Sequence, residues 1–278
     1  MLDFSQRREL SLHAEIVADV NAVAVEFAAP TILIGAFARD LHLHFGAGLP
    51  IQRETLDVDL GVAVENWDTF QNLRSRLIEA KAFEPVEGKL HRLRKGSFAV
   101  DLIPFGELET QDRRIAWPPN GEIVMAVFGF REALTTAEDV LLPLGVRTRV
   151  VSAASLALLK LVAWQERHYE APKKDAMDLN FLLRNFLALG NNQARLLDQF
   201  DSWANEASFD LEEAGARMLG DDIRQLLDAK GIERIVQLLK SQSDEATTGE
   251  LVREMNSLTP DRALNLLRKL LQGLEHPD

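Results

Sequence analysis

Asp57 and Asp59 stand two residues apart in LDVDLGVAV, where Leu56, Val58, Leu60, Val62 and Val64 alternate without error with Asp57, Asp59, Gly61 and Ala63. That alternation predicts a half-buried strand with one apolar and one acidic face. Both carboxylates then leave the same side of the strand, with Cα atoms roughly 6.6 Å apart at about 3.3 Å rise per residue. Held like that they repel each other. A divalent cation removes the penalty, and hard oxygen ligands are what magnesium prefers. Asp101 is the one charge in the apolar run SFAVDLIPF. Such a carboxylate is costly unless it is paired, metal-bound or at an exposed strand end. Three carboxylates brought together are what a two-metal site for phosphoryl or nucleotidyl transfer requires, with ions roughly 4 Å apart. One of them could also take the proton of an attacking hydroxyl. Plainer accounts stand beside this one: D-x-D pairs are common as surface or capping acids, and Asp101 can pair with Arg92 or Arg94 across a hairpin.

The elements that must position these acids can be read from apolar spacing. Residues 14 to 28 have helical periodicity and stop before Pro30; TILIGAF then has the β-branched richness of a strand running into a glycine turn, with a helix starting near Ala38. Residues 67 to 81 suit an amphipathic helix. KLHRLRK and SFAVDLIPF, separated by Gly96, read as a hairpin whose second strand is apolar on both faces and therefore central. The basic residues Lys89, Arg92, Arg94 and Lys95 of that hairpin could touch an anionic acceptor or simply form a solvated strand face. EIVMAVFGF, after the Trp117–Gly121 turn, and VRTRVVS are the last candidate strands. Beyond about Val150 the pattern is almost wholly helical, with helices over 153–167 and 174–187 and breaks at Gly190, Gly220 and Gly231. The fold class is therefore α+β: a mixed sheet flanked by helices over residues 1–145, followed by a helical domain over 146–278.

Bulk properties narrow the function classes. A net charge of −12 argues against bulk DNA binding, which rests on clustered Lys and Arg releasing counterions. The absence of cysteine removes thiolate nucleophiles and thiolate zinc sites and fits a cytoplasmic location. No signal peptide or membrane-spanning stretch is expected, and no H-E-x-x-H or G-x-S-x-G element occurs. Gly46, Ala47 and Gly48 form a loop without the G-x-G-x-x-G spacing. Gly35 lies where a missing side chain lets backbone amides approach a phosphate at a helix start, although a glycine there also serves as a simple turn. Lys160, Trp164, Arg167 and His168 fall on one side of a helix and could meet a triphosphate and base. In KKDAMDLNFLL, Lys174 and Asp178 are four apart and Asp175 and Asp178 three apart, which a solvated helix start also explains.

In this order, LIGAFARD, RETLDVDLGV, FAVDLIPFG and LLKLVAWQERHYEAPKKDAMDLNFLL resemble the AbiEii-type nucleotidyltransferases, the toxin half of certain abortive-infection and toxin–antitoxin pairs within the polymerase-β-like superfamily. The resemblance covers roughly residues 25 to 185. It implies Gly35, Ala36 and Arg39 at the phosphates, with Arg53 neutralising phosphate. Asp57 and Asp59 would lie on the metals, and Asp101 would be third carboxylate and base. Lys160, Lys174, Asp175 and Asp178 would form the nucleotide-facing motif of a helical domain that completes the cleft. It further implies Mg²⁺ or Mn²⁺, an NTP donor, a hydroxyl acceptor on RNA or protein, and a cognate antitoxin. Ala36 replaces the superfamily's second Gly or Ser at the turn. That keeps open a non-transferring nucleotide-binding or partner-binding module; transfer to a small molecule such as an antibiotic would use the same site with another acceptor.

Overall fold

Where apolar residues recur at every second position the chain is extended, and where they recur at every third or fourth it is helical. The structure, a computed structural model, describes residues 1–52, 56–171, 173–199, 209–244, 249–255 and 259–275. In chain order it runs β1 (Leu2–Asp3), α1 (Ser11–Glu26), β2 (Thr31–Ile34), α2 (Gly35–Asp40), β3 (Asp57–Val64), α3 (Trp67–Lys81), β4 (Glu84–Val86), β5 (Lys89–Lys95), β6 (Phe98–Gly106), β7 (Arg114–Ala116), β8 (Val124–Ala126), α4 (Phe130–Thr135), β9 (Glu138–Leu141) and β10 (Arg147–Val150). Among the described residues these helices follow: α5 (Ala153–Arg167), α6 (Lys174–Asn185), α7 (Asn192–Gln199), α8 (Leu211–Leu226), α9 (Ala229–Gln242), α10 (Glu250–Glu254) and α11 (Pro260–Glu275). This is the expected α+β class, a mixed sheet with flanking helices and a helical C-terminal part. The chain divides into two compact units, one made of Met1–Leu41 and Pro50–Ser152, the other of His42–Leu49 and Ala153–Asp278.

The first unit is built on an eight-stranded sheet in the order β1-β9-β10-β2-β3-β6-β5-β4, with β7 and β8 forming a separate ribbon. The sheet is mixed: β3 runs parallel to β6, while β2 and β5 pair antiparallel to β3 and β6. The centre of one face is apolar, with Val58, Leu60, Val62, Val100, Leu102 and Leu93 wholly buried. α1 and α3 cover it, contributing Val17, Val20, Phe70, Leu73 and Leu77. Asn66 caps α3 by accepting from the Thr69 amide at 2.9 Å, and Ala82 ends it in a left-handed conformation. Two expectations need correcting. The helix after β2 starts at Gly35 rather than Ala38, because the chain turns at that glycine's positive φ of 72°. EIVMAVFGF is extended only over Val124–Ala126, after which Gly129 opens α4.

In the second unit α8 and α11 cross at backbone contact. A Cβ on Gly220 would fall 2.1 Å from the Leu270 carbonyl oxygen, and one on Gly273 would fall 2.0 Å from that of Arg217. Gly220 is therefore no helix break: it lies inside α8 because a second helix needs the room. Gly231 is likewise inside α9, its amide donating to the capping Asp228 at 2.8 Å. Only Gly190, with φ of 53°, interrupts the helices as expected.

Half-buried His13 of α1 marks a cost at the margin of the first unit's core. Its ring stacks on Phe37 at 4.4 Å and meets Phe98 edge-on at 4.8 Å, and its Nδ1 has no hydrogen-bond partner. Burial lowers its pKa from 6.5 to about 4. On unfolding, the imidazole takes up a proton anywhere below pH 6.5 that the folded ring refuses down to about pH 4. Stability is thus unaffected above 6.5 and falls below it, by about 1–2 kcal/mol on reaching pH 5. Urea unfolding at pH 7 and pH 5 should show this loss in the wild type and a smaller one in His13→Phe; equal losses in both proteins would contradict the assignment.

Candidate active site

The hairpin turn at Gly96–Ser97 sets the register that builds the site. Lys95 pairs with Phe98, so Arg94 faces Ala99 and Arg92 faces Asp101. On its other side β6 pairs in parallel with β3, placing Asp59 opposite Asp101 and Asp57 opposite Ala99, and β2 places Ile34 opposite Asp59. One transverse row therefore crosses four strands: Ile34, Asp59, Asp101, Arg92. Directly paired residues point to the same side of a sheet, and so do residues two apart. Asp57, Asp59, Asp101, Arg92 and Arg94 consequently share the face that α1 and α3 leave uncovered. All three carboxylates are half-buried. Two residues further along β3 this face closes, because Gly61 packs against Ile32, Phe105 and Phe130 of α4.

Gly35 earns its place through Asp59. A Cβ there would lie 1.9 Å from Asp59 Oδ2 and 2.7 Å from its carboxyl carbon. The space that the missing side chain leaves is thus filled by a carboxylate of this chain, laid against the start of α2, where amides without helical partners favour negative charge. Ala36 is buried beside it. Arg39 is fully enclosed, its Nε and Nη2 donating to Asp40 Oδ1 at 2.9 and 2.7 Å. Arg53 lies outside the described residues.

Of the two pairings open to Asp101, the structure takes Arg92. Arg92 Nε and Nη2 donate to Asp101 Oδ1 and Oδ2, both at 2.6 Å, in a two-pronged bond. That bond raises the arginine's pKa further above its ordinary value, against the opposing effect of burial, and the charges of Asp101, Asp57 and Asp59 add to it. Burial lowers the pKa of neighbouring His91, with Asp101 opposing. The hard oxygen donors on this face suit a divalent cation. Among the described residues, however, no three His, Cys, Asp or Glu side chains are gathered closely enough to enclose one. Asp101 is turned to Arg92, and Asp59 lies against Gly35.

The other expected residues form a cluster inside the helical unit. Lys160 Nζ on α5 donates to Asp175 Oδ1 at 2.9 Å and to Asp178 Oδ2 at 2.5 Å on α6. Arg167 grips Asp175 from the end of α5 at 2.9 and 3.2 Å. Lys160, Asp175 and Asp178 are all buried, whereas Lys174 is half-buried. Burial alone would raise the pKa of Asp175, but Lys160 and Arg167 outweigh it and hold the group below its ordinary value. Trp164 and His168 are also turned inward: the indole Nε1 donates to Glu254 Oε2 at 2.7 Å, and the His168 ring stacks on it at 4.5 Å. The helix-face spacing seen in the sequence thus serves an internal ion cluster and an aromatic stack.

A family model described as "Nucleotidyl transferase AbiEii toxin, Type IV TA system" matches residues 19–265, most of the chain. The protein belongs to the AbiEii family. It is a nucleotidyltransferase. No curated protein matches it. Two solved structures of the antibiotic-resistance factor ANT(2″)-Ia are similar. The first, determined in solution, has a TM-score of 0.39 and 13% identity and covers 70% of this chain and 96% of that one. The second, a crystal structure in complex with adenylyl-2″-tobramycin, has a TM-score of 0.39 and 15% identity, with 67% and 95% covered. Among the described residues of this AbiEii chain no helix is long and apolar enough to cross a membrane.

Substitutions at Gly35 and Lys160, with Gly48 as a control, test the packing of these AbiEii motifs. Gly35→Ala places a methyl group on the Asp59 carboxylate at a positive φ, whereas Gly48→Ala meets the same backbone cost, φ of 71°, with nothing within 4 Å. Chemical denaturation should show about 1–2 kcal/mol lost in Gly48→Ala and clearly more in Gly35→Ala; equal losses would show that Asp59 does not need the space. Lys160→Met leaves two buried carboxylates facing each other and should cost about 3–5 kcal/mol. A loss below about 1 kcal/mol in the same measurement would mean that solvent or other groups already neutralise them.

Proposed function

We propose that the protein moves a nucleoside monophosphate from an NTP to a hydroxyl of RNA or protein, in a reaction dependent on Mg²⁺ or Mn²⁺, and acts as the toxin partnered by a cognate antitoxin. The observation that carries this reading is the row of Asp59 and Asp101 beside Asp57 on one half-open sheet face, in a chain of the AbiEii family. In this reading Asp57 and Asp59, joined by Asp101, hold the divalent cation, which when bound supplies positive charge to the triphosphate and to the attacking and leaving oxygens. The acceptor oxygen forms a bond to the α-phosphorus while the bond to the β-phosphate oxygen breaks, releasing pyrophosphate, and the hydroxyl proton passes to a carboxylate of the row. Arg92 and Arg94 offer positive charge on the same face for an anionic donor or acceptor. Lys160, Asp175 and Asp178 support the reaction by holding α5 and α6 together, and the Glu212-centred pairs to Arg184 and Arg262 similarly tie α6, α8 and α11.

A non-transferring module is the second reading. It is favoured by the two-pronged hold of Arg92 on Asp101, since a carboxylate bound to a guanidinium is a weak base. One assay separates the two. Purified protein is incubated with each of four labelled NTPs, Mg²⁺ or Mn²⁺, and the RNA and protein fractions of a cell extract. Transfer predicts label in one fraction with at least one NTP, reduced by about 10²-fold or more in Asp59→Ala. No label with any NTP, or label indifferent to the substitution, would reject it.

A further inference from the structure

We propose that Arg92 is a latch on the carboxylate site: its guanidinium competes with the divalent cation for Asp101, and only when that grip loosens does Asp101 join Asp57 and Asp59 around the ion. The inference rests on reading this face as the catalytic site, and it names a positioning residue that the family's motif blocks do not contain.

The geometry is specific. Arg92 and Asp101 are direct cross-strand partners, so backbone register and not side-chain reach brings them together. The guanidinium fork takes both carboxylate oxygens at 2.6 Å. These are the lone pairs a carboxylate most readily gives to a metal, so a cation can engage Asp101 fully only by displacing an N–H donor. Asp101 is the more buried partner, its side chain 13% exposed against 29% for Arg92, so the arginine can withdraw toward solvent while the aspartate stays. The strand order Asp59, Asp101, Arg92 leaves Asp101 between its competing partners, the two acids on one side and the guanidinium on the other.

Charge explains why a latch is useful. Three carboxylates on one face carry three negative charges, and the nearest arginine, adding attraction to Asp57 and Asp59 as well as to Asp101, offsets one of them. The face is thereby kept from holding a cation very tightly by itself. An anionic triphosphate arriving beside it offers the guanidinium an alternative partner of better charge, which frees Asp101 for the metal. Metal and nucleotide would then favour each other's binding.

Mn²⁺ titration of the full chain, followed by electron paramagnetic resonance, tests the latch with the metal alone. Sites on this face are identified as those lost on Asp59→Asn, in wild-type and Arg92→Gln backgrounds alike. Arg92→Gln should bind Mn²⁺ about fivefold or more tightly than wild type, and Arg92→Lys, which keeps the charge without the fork, should fall between them. In the wild type, the Arg92 Nε–H resonance, assigned by its loss in Arg92→Lys, should shift on saturation with Mg²⁺; this arm stands even if Arg92→Gln does not fold. Unchanged or weaker Mn²⁺ affinity in Arg92→Gln, or an Arg92 Nε–H signal unmoved by saturating Mg²⁺, overturns the latch while leaving the metal site in place. If no protein shows an Asp59-dependent Mn²⁺ site, the catalytic reading falls together with it.

Discussion

Mutual repulsion among carboxylates held on one sheet face is the constraint around which the first unit is arranged. Asp57 and Asp59 project from the same side of β3, and β6 adds Asp101 in register with Asp59. Three such charges in a half-buried setting need a counter-charge, and β5 supplies it from the adjoining position, Arg92. The remaining structure keeps this row in line. The apolar underside, with Val58, Leu60, Val100 and Leu102 sealed beneath α1 and α3, prevents a one-residue slip, which would turn every acid into the core. Gly35 makes room for the Asp59 carboxylate, and Gly96 and Ser97 set the hairpin pairing.

The helical unit meets the same problem by a different route. Asp175 and Asp178 are buried on α6 and neutralised from α5 by buried Lys160 and by Arg167, which reaches in from a half-exposed position. Neighbours of this cluster add directional bonds: Glu254 of α10 accepts from Trp164, and Asn180 of α6 donates to the Met255 carbonyl at 3.1 Å. A short helix such as α10 has little stability of its own. It is held by these bonds and by the burial of Leu251 and Val252.

Much of the site could be read from local pattern. Strict alternation in LDVDLGVAV places Asp57 and Asp59 on a common face, and a hairpin centred on Gly96 brings Asp101 within reach of either Arg92 or Arg94. Choosing between them needed the turn's position, because moving a two-residue turn one place along the chain shifts the pairing by two and would set Arg94 opposite Asp101. The pairing of Asp59 with Asp101 was out of reach: β3 and β6 are parallel, joined through α3, β4 and β5, and such a connection carries no local register signal. The family resemblance, on the other hand, put all three acids in one site without requiring that register. Burial was the other blind spot. The structure encloses both Arg39, paired with the adjacent Asp40, and Lys160, paired with Asp175 and Asp178 of the next helix, and local spacing does not show which cations tertiary packing buries. Gly220 looked like punctuation because helix propensity is local, while the demand for a bare backbone comes from α11, some fifty residues away. The edge strands β1 and β4, and β9 beside β1, are too short for alternation to register.

The central claim is that divalent cations bind this acidic face in preference to the many other carboxylates of a chain with net charge −12. Paramagnetic broadening of backbone amide resonances by trace Mn²⁺ maps the metal directly. The claim predicts that the first amides to disappear are those around Gly35, Asp59 and Asp101; broadening centred on another cluster, or spread evenly over the acidic surface, would contradict it.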